Sequence, residues 1–291
     1  MSNQTREARG IARLVVKVLT LAAFALGAVG AHAGIANTKH NLGADNAANE
    51  NYMTTGTTEI CVFCHTPHAS NTAVQAPLWN KPVAAGTSYT TYTTATSATI
   101  DGSVDMSGIS LACLSCHDGT QAMDTMINKP GSGGYAAAGA AITGGVWTGA
   151  RQSSGAMTNA GEFISMLGTD LTNDHPVGIQ YCGGGVSTGG AVTTAASTGS
   201  CRDADFNAPA NGLIGGHRAW WVDTSAGANG SRQKTDMILY ARAPTLAGDA
   251  TSGQYQPFVE CASCHDPHTE NATFLRVPNT QSAVCLACHN K

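Results

Sequence analysis

Cys61-Val62-Phe63-Cys64-His65-Thr66-Pro67-His68 decides how the rest of the chain is read. Two cysteines stand three apart and a histidine follows the second at once. The pattern returns at Cys113-Leu114-Ser115-Cys116-His117, at Cys261-Ala262-Ser263-Cys264-His265 and at Cys285-Leu286-Ala287-Cys288-His289. C-x-x-C-H is the attachment signature of c-type haem. The thiols form thioether bonds to the porphyrin vinyl groups, and the adjoining histidine binds the iron from the proximal side. Every C-x-x-C pair of the chain carries that histidine. Four covalently attached haems are therefore expected. Cys61, Cys64, Cys113, Cys116, Cys261, Cys264, Cys285 and Cys288 would attach them, and His65, His117, His265 and His289 would be the proximal iron ligands.

The chain has ten cysteines, and eight are in these motifs. Cys182 and Cys201 remain. They bracket a Gly/Ser/Thr-rich stretch, and in a secreted protein a disulfide between them is the expected state; a free reactive pair is the alternative.

Secretion is expected from residues 1–33. Arg6, Arg9, Arg13 and Lys17 form a basic leader, an apolar run covers Leu19 to Val29, and Ala31-His32-Ala33 supplies the small residues of a cleavage site before Gly34. The run is short for a membrane span, which needs about 20 apolar residues. No stable membrane insertion is expected once the leader is cleaved.

Residues 34–291 carry 11 Lys+Arg against 18 Asp+Glu, because the leader holds four basic residues and one acidic residue. An acidic balance argues against a nucleic-acid partner, which requires a basic footprint. Leu, Ile, Val and Phe number 38 in this stretch, and the filler is Gly, Ala, Ser and Thr. Such side chains cannot by themselves offset an ordering cost of about 1–2 kcal/mol per residue. Porphyrin faces, thioether crosslinks and iron–histidine bonds would have to supply the difference, so folding is expected to depend on haem. The expected fold class is a mostly irregular, haem-scaffolded multihaem cytochrome c with single-turn helices and few short strands, forming one domain over 34–291.

Along the chain, 87–100 alternates Thr with Tyr, Ser and Ala, a weak strand or hairpin signal. Gly- and Ala-rich residues 131–145 suggest loop, within an insertion over 131–160; a second insertion covers 182–201. Glu162 to Leu167 suggests one helical turn. Residues 217–223 and 236–240 suggest short strands. There is also an internal echo. Cys64-His65-Thr66-Pro67-His68 resembles Cys264-His265-Asp266-Pro267-His268, and each is followed by a plainer motif. The chain is thus organised as two haem pairs.

Each iron would keep one further coordination position. Five histidines lie between Gly34 and Lys291 outside the motifs: His40, His68, His175, His217 and His268. His68 and His268 each follow a motif histidine by three residues. Residues so close cannot reach opposite faces of one porphyrin, so each would bind another haem's iron and hold two haems together. His175 precedes Pro176, which disfavours helix and presents the side chain from extended chain. His40 lies in a polar arm, and iron counting makes it the fourth candidate. His217 is the one left over. Methionine is the alternative axial ligand, but the methionines stand in no repeated motif.

The order His40-Asn41-Leu42, Cys61 to His68, Ala76-Pro77-Leu78-Trp79-Asn80, Cys113 to Gly119, Asp174-His175-Pro176-Val177 and Cys261 to His268 resembles the doubled-CxxCH multihaem c-type cytochromes. The resemblance is strongest to the OmcE-type tetrahaem cytochromes of extracellular filaments, the cytochrome nanowires. It covers the chain in patches and omits the Gly/Thr-rich loops. It implies extracellular electron transfer by a homopolymer whose haems form one continuous stack, with other redox cytochromes and extracellular electron acceptors as partners. It also implies one histidine crossing the subunit boundary, for which the His40 arm is the candidate donor.

Two further classes compete. A soluble periplasmic carrier would use the same bis-histidine haems. A multihaem reductase would need an open iron position, and five spare histidines for four irons argue against an enzyme. Two four-thiolate zinc sites would match C-x-x-C spacing but leave the invariant following histidine unexplained. A quinol dehydrogenase would need the leader retained as an anchor.

Overall fold

The computed structural model describes residues 34–46, 50–84, 87–93, 97, 99–100, 102, 104–131, 133–158, 163–186, 201–214, 217–224, 230–242 and 255–290. The expected leader falls outside these residues. Among them, no helix is long and apolar enough to cross a membrane.

The strands in chain order are β1 (Tyr52–Thr55), β2 (Met126–Asn128), β3 (Tyr135–Ala140), β4 (Val146–Thr148), β5 (Gln152–Ser153), β6 (Ala156–Met157), β7 (Ile179–Gln180), β8 (Ala210–Ile214), β9 (His217–Val222), β10 (Met237–Arg242) and β11 (Gln256–Val259). The largest sheet is antiparallel, in the order β7-β11-β10-β9-β8. Its register sets Leu239 opposite Trp220 and Met237 opposite Val222. All four side chains are buried, and they join Tyr181, Cys182, Val186 and Val259 in one core. Cys264, Val284, Ala287 and Cys288 pack against that core, so the sheet is the floor beneath the last two C-x-x-C-H motifs. The segment between the second and third motifs places Trp220, Val222, Met237 and Leu239 on this sheet, while its Met126 and Ile142 join Met53 and Phe63 in a second cluster. The expected strands over 217–223 and 236–240 correspond to β9 and β10. A disulfide joins Cys182 to Cys201 at the edge of the same core.

Three local expectations differ. Residues 131–145 include β3, which pairs with β2. Pairing through the main chain does not require large side chains, and Gly139 sits at φ +78°, where a Cβ would come within 2.7 Å of Pro82 and Thr125. No strand forms among the described residues of 87–100; Thr90 makes an isolated bridge to Asp170 instead. Residues 163–167 make a reverse turn, Met166 N–H to Phe163 O, and the amide of Leu167 then donates to His117 O at 2.8 Å.

Each motif carries a helical piece, and others lie at Gly34–Asn37, Tyr181–Gly184, Ala272–Phe274 and Thr280–Ser282. Ser110–His117 is the longest helix among the described residues, and Cys61–Phe63, Cys261–Cys264 and Ala283–Leu286 are single turns. The shortness follows from the motif itself: a C-x-x-C-H turn needs only one turn to bring two thiols and an imidazole to one side.

Candidate haem site

The histidine of a haem motif must present Nε2 to iron, so its Nδ1 must carry the proton and find an acceptor. Three motif histidines meet that condition through backbone carbonyls, which only accept. His65 Nδ1 donates to Pro77 O at 2.7 Å, His117 Nδ1 to Ser165 O at 2.7 Å and His265 Nδ1 to Thr273 O at 2.8 Å. The ring of His289 instead packs on Phe206, with centroids 4.6 Å apart.

The first and third motifs are built alike, beyond the eight-residue echo. His65 bridges Trp79 and His265 bridges Leu275. Thr66 N–H donates to Leu78 O and Asp266 N–H to Phe274 O, both at 2.8 Å. Asn80 N–H donates to Cys64 O and Arg276 N–H to Cys264 O, both at 2.9 Å. The side chains at that position also agree: Asn80 Nδ2 donates to Val62 O and Arg276 Nε to Ala262 O. Leu78 and Thr273–Phe274 all take positive φ, which turns the carbonyls of Pro77 and Thr273 toward the motif rings. The return loop is four residues shorter in the third motif, which is why the sequence echo stops at the second histidine.

Two imidazoles bound to opposite sides of one iron put their ring centres roughly 6 Å apart, since each metal–nitrogen bond is about 2 Å and each ring centre lies about 1 Å further. Three pairs meet that separation. His65 faces His268 at 6.1 Å with planes 15° apart, His117 faces His40 at 6.1 Å and 69°, and His289 faces His175 at 6.5 Å and 63°. Each pair joins one motif histidine to one of the sequence candidates. Burial, with His117 beside it, holds His40 down to about 4, so the ring is neutral and its lone pair is available near neutral pH. Burial lowers His117 as well, and burial together with His175 lowers His289. Phe274 stacks on His40 at 4.3 Å.

His40 therefore does not project as an arm. Gly34 N–H donates to His268 O, Asn37 to Glu270 and Met53 N–H to Leu42 O, and Asn41 is buried. These bonds dock residues 34–46 on the third motif, because the polar side chains that suggested a solvated arm are spent on main-chain carbonyls and Glu270. Within this chain the motif ring that faces His40 is that of His117.

His68 and His265 find no ring partner among the described residues, and both are exposed. His217 falls in β9.

Cys113 of the second motif and Cys261 of the third come within hydrogen-bond contact. Ser110, at the start of the second motif's helix, donates to Glu260 Oε2 and accepts the amide of Cys261 at 3.1 Å, which fastens the second motif to the third. Arg242 Nη2 pairs with Glu260 Oε1 at 3.0 Å from the other side. The buried indole N–H groups of Trp79, Trp147, Trp220 and Trp221 have no acceptor among the described residues. Trp79 packs beside Cys64, and Trp220 lies in the core that holds Cys264 and Cys288. Paired thiols, an oriented imidazole, a second imidazole and unpaired donors at the walls are what haem c, with its acidic propionates, requires.

Residues 256–291 match the doubled CXXCH motif family. That stretch carries the paired haem c attachment motif, and haem bound there would exchange single electrons. No curated protein matches the chain. The sequence did not point to Lys81, Arg242, Glu260 or Phe274. The only signals were Asn80-Lys81 extending the Ala76-Pro77-Leu78-Trp79 stretch, and the Glu260 directly before Cys261.

Proposed function

We propose that the protein is a tetrahaem c-type cytochrome that carries electrons along closely spaced haems and assembles head to tail into an extracellular filament. The carrying observation is the remainder after pairing. Three motif histidines have a second histidine at the separation one iron demands, whereas His265 and His68 are left over, exposed and apart. The internal echo supplies the connection. His268, three residues after the third motif, faces the first motif's His65. By the same geometry His68, three residues after the first motif, would serve the third motif's iron in a second copy. Donor and acceptor are then different surfaces, and such a heterologous contact repeats without closing. The basic and apolar leader supports export.

The haems would carry the electrons; the chain's own part is to hold neutral imidazoles, fix their tautomers through the carbonyls of Pro77, Ser165 and Thr273, and keep neighbouring motifs in contact. A reductase is the second reading, because an exposed His265 without a partner is also what an open iron needs. The two separate in one experiment. Holo-protein purified from shed extracellular material is imaged by electron cryo-microscopy, and its reduced form is titrated with carbon monoxide. The filament reading expects polymers with all haems low-spin and insensitive to carbon monoxide. His68→Ala is expected to give monomers with one carbon-monoxide-binding haem, while His217→Ala is expected to change neither property. A monomeric wild type whose haems are all low-spin would overturn the reading, and polymers that bind carbon monoxide would favour the reductase.

A further inference from the structure

Lys81 is completely buried. Its ammonium donates to three main-chain carbonyls, Ala122 at 3.3 Å, Met123 at 2.9 Å and Thr125 at 2.9 Å. Among the described residues it forms no ion pair. The buried carboxylate of Asp124, in the same segment, accepts the amide of Ile142 instead. A buried charge carries a desolvation cost of several kcal/mol unless an opposite charge offsets it. Here carbonyl dipoles satisfy the donors, yet the net charge stays. Asn80, the residue directly before Lys81, donates its N–H to Cys64 O at 2.9 Å and its Nδ2 to Val62 O at 2.7 Å, which holds this segment against the first motif.

The third motif serves as an internal comparison, because equivalent main-chain bonds match Cys64 to Cys264, Trp79 to Leu275 and Asn80 to Arg276. The position matching Lys81 is Val277, an apolar residue packed on the main core. The third motif has charges where the first has none: Glu260 against Ile60, Asp266 against Thr66 and Arg276 against Asn80. Those charges are matched. Glu260 pairs with Arg242, and Arg276 lies 3.9 Å from Asp266. One motif therefore has a lone interior cation and the other a balanced set.

We infer that Lys81 is a fixed interior cation that sets the reduction potential of the haem attached at Cys61 and Cys64 above that of its quasi-equivalent at Cys261 and Cys264. The inference rests on the tetrahaem reading, which requires haem at the first motif. Reduction adds one electron to the iron, and a positive charge held in low dielectric stabilises that electron far more than it would in water. Burial and local charge are among the levers by which a protein sets haem potential. Lys81 would act as a tuning residue, with no part in ligation. The consequence is directional: the two ends of the haem pairs would differ in potential although their ligand sets are alike.

The test uses the full holo-protein and the variants Lys81→Met and Lys81→Gln; the second keeps an amide that can still donate to the carbonyls. Mass spectrometry of the peptide holding Cys61 and Cys64 first establishes whether haem is attached there. Absence of haem there would overturn the tetrahaem reading itself, separately from the role of Lys81. Mediated redox titration is then followed by electron paramagnetic resonance. The His65 and His268 planes are nearly parallel, whereas the other two pairs are crossed. Parallel axial imidazoles give a rhombic ferric signal and crossed ones a strongly anisotropic signal, so in a His68→Ala background, where the third motif's iron lacks its second imidazole and is high-spin, the remaining rhombic component is the first motif's haem. In both variants the rhombic component is expected to lose at least tenfold in its reduced-to-oxidised ratio at fixed potential, 59 mV for a one-electron couple. The crossed components should hold their midpoints. A rhombic component that stays in place, or an equal shift of all components, would overturn the inference. In the unmutated protein two rhombic components are expected, and the one that survives His68→Ala should be reduced before the other on lowering the potential. The reverse order would overturn the inference even if neither variant retained its haems.

Discussion

Replacing Arg242 by Met tests the contact that fastens the second motif to the third. Arg242 lies 3.0 Å from Glu260 Oε1 and 3.2 Å from Asp105 Oδ2, and its guanidinium sits 4.3 Å over the ring of Phe258. The Glu260 side chain is fully buried. Burial pushes its carboxyl from 4.5 up to about 7, against the pull of Arg242 and of the Ser110 hydrogen bond. A carboxyl raised in the folded state contributes its stability below its unfolded value and loses it as pH climbs through the folded one. The gap between 4.5 and about 7 is worth about 3 kcal/mol. Met fills the space of Arg242 but withdraws the cation, so the folded carboxyl rises further and ionising it costs more. At pH 8 the variant is expected to lose about 3–5 kcal/mol, the cost of stranding one member of a buried pair. At pH 5 Glu260 is protonated in the folded variant. The loss there should fall to roughly 1–2 kcal/mol for the missing hydrogen bonds and ring contact. Guanidinium unfolding of the holo-protein and the variant, followed by far-ultraviolet circular dichroism at both pH values, measures the difference directly. Equal losses at pH 5 and pH 8, or a larger loss at pH 5, would refute the reasoning.

Further outcomes follow from the same geometry. Replacing both Cys182 and Cys201 by Ala removes the bond that closes a 19-residue separation and should cost about 3 kcal/mol in chemical unfolding, with the haem spectrum unchanged. His268→Ala removes the ring opposite His65, so one haem should become high-spin and bind carbon monoxide; an unaltered low-spin spectrum would show that the ring plays no part in ligation. Changing all eight motif cysteines to Ala should abolish the cooperative unfolding transition, because the side chains of this Gly/Ala/Thr-rich chain are too small to replace the porphyrin faces; a surviving native transition would contradict the dependence on haem.

Much of the candidate site is legible in the residues taken in order. Attachment is local chemistry: two thiols and an imidazole within five residues define it wherever the chain goes, so Cys61 to His65 and its three counterparts stand out without a fold. Cysteine arithmetic isolates Cys182 and Cys201 for the same reason. Local alternation also marks β9 and β10, whose buried faces are large and apolar. It fails at β3, where Ala and Gly pair through main-chain atoms that every residue shares, and among the described residues of 87–100, where threonines with strand propensity form no strand.

What the residues could not say is which second histidine answers which first. His268 faces His65 across 203 positions of sequence, and His40 faces His117 because residues 34–46 dock on the third motif. Those pairings depend on loop turns at Leu78 and Thr273–Phe274, on the Ser110–Glu260–Arg242 bond set and on the sheet beneath Cys264 and Cys288. Nor could the residues say that Lys81 is buried alone while its counterpart Val277 is neutral, since burial is a property of packing between segments distant in the chain. The sequence by itself determined the covalent chemistry and its repetition, because bonding partners there are neighbours. The tertiary structure alone decided which imidazoles face each other and what charge surrounds each motif, because both arise only when separated segments are packed together.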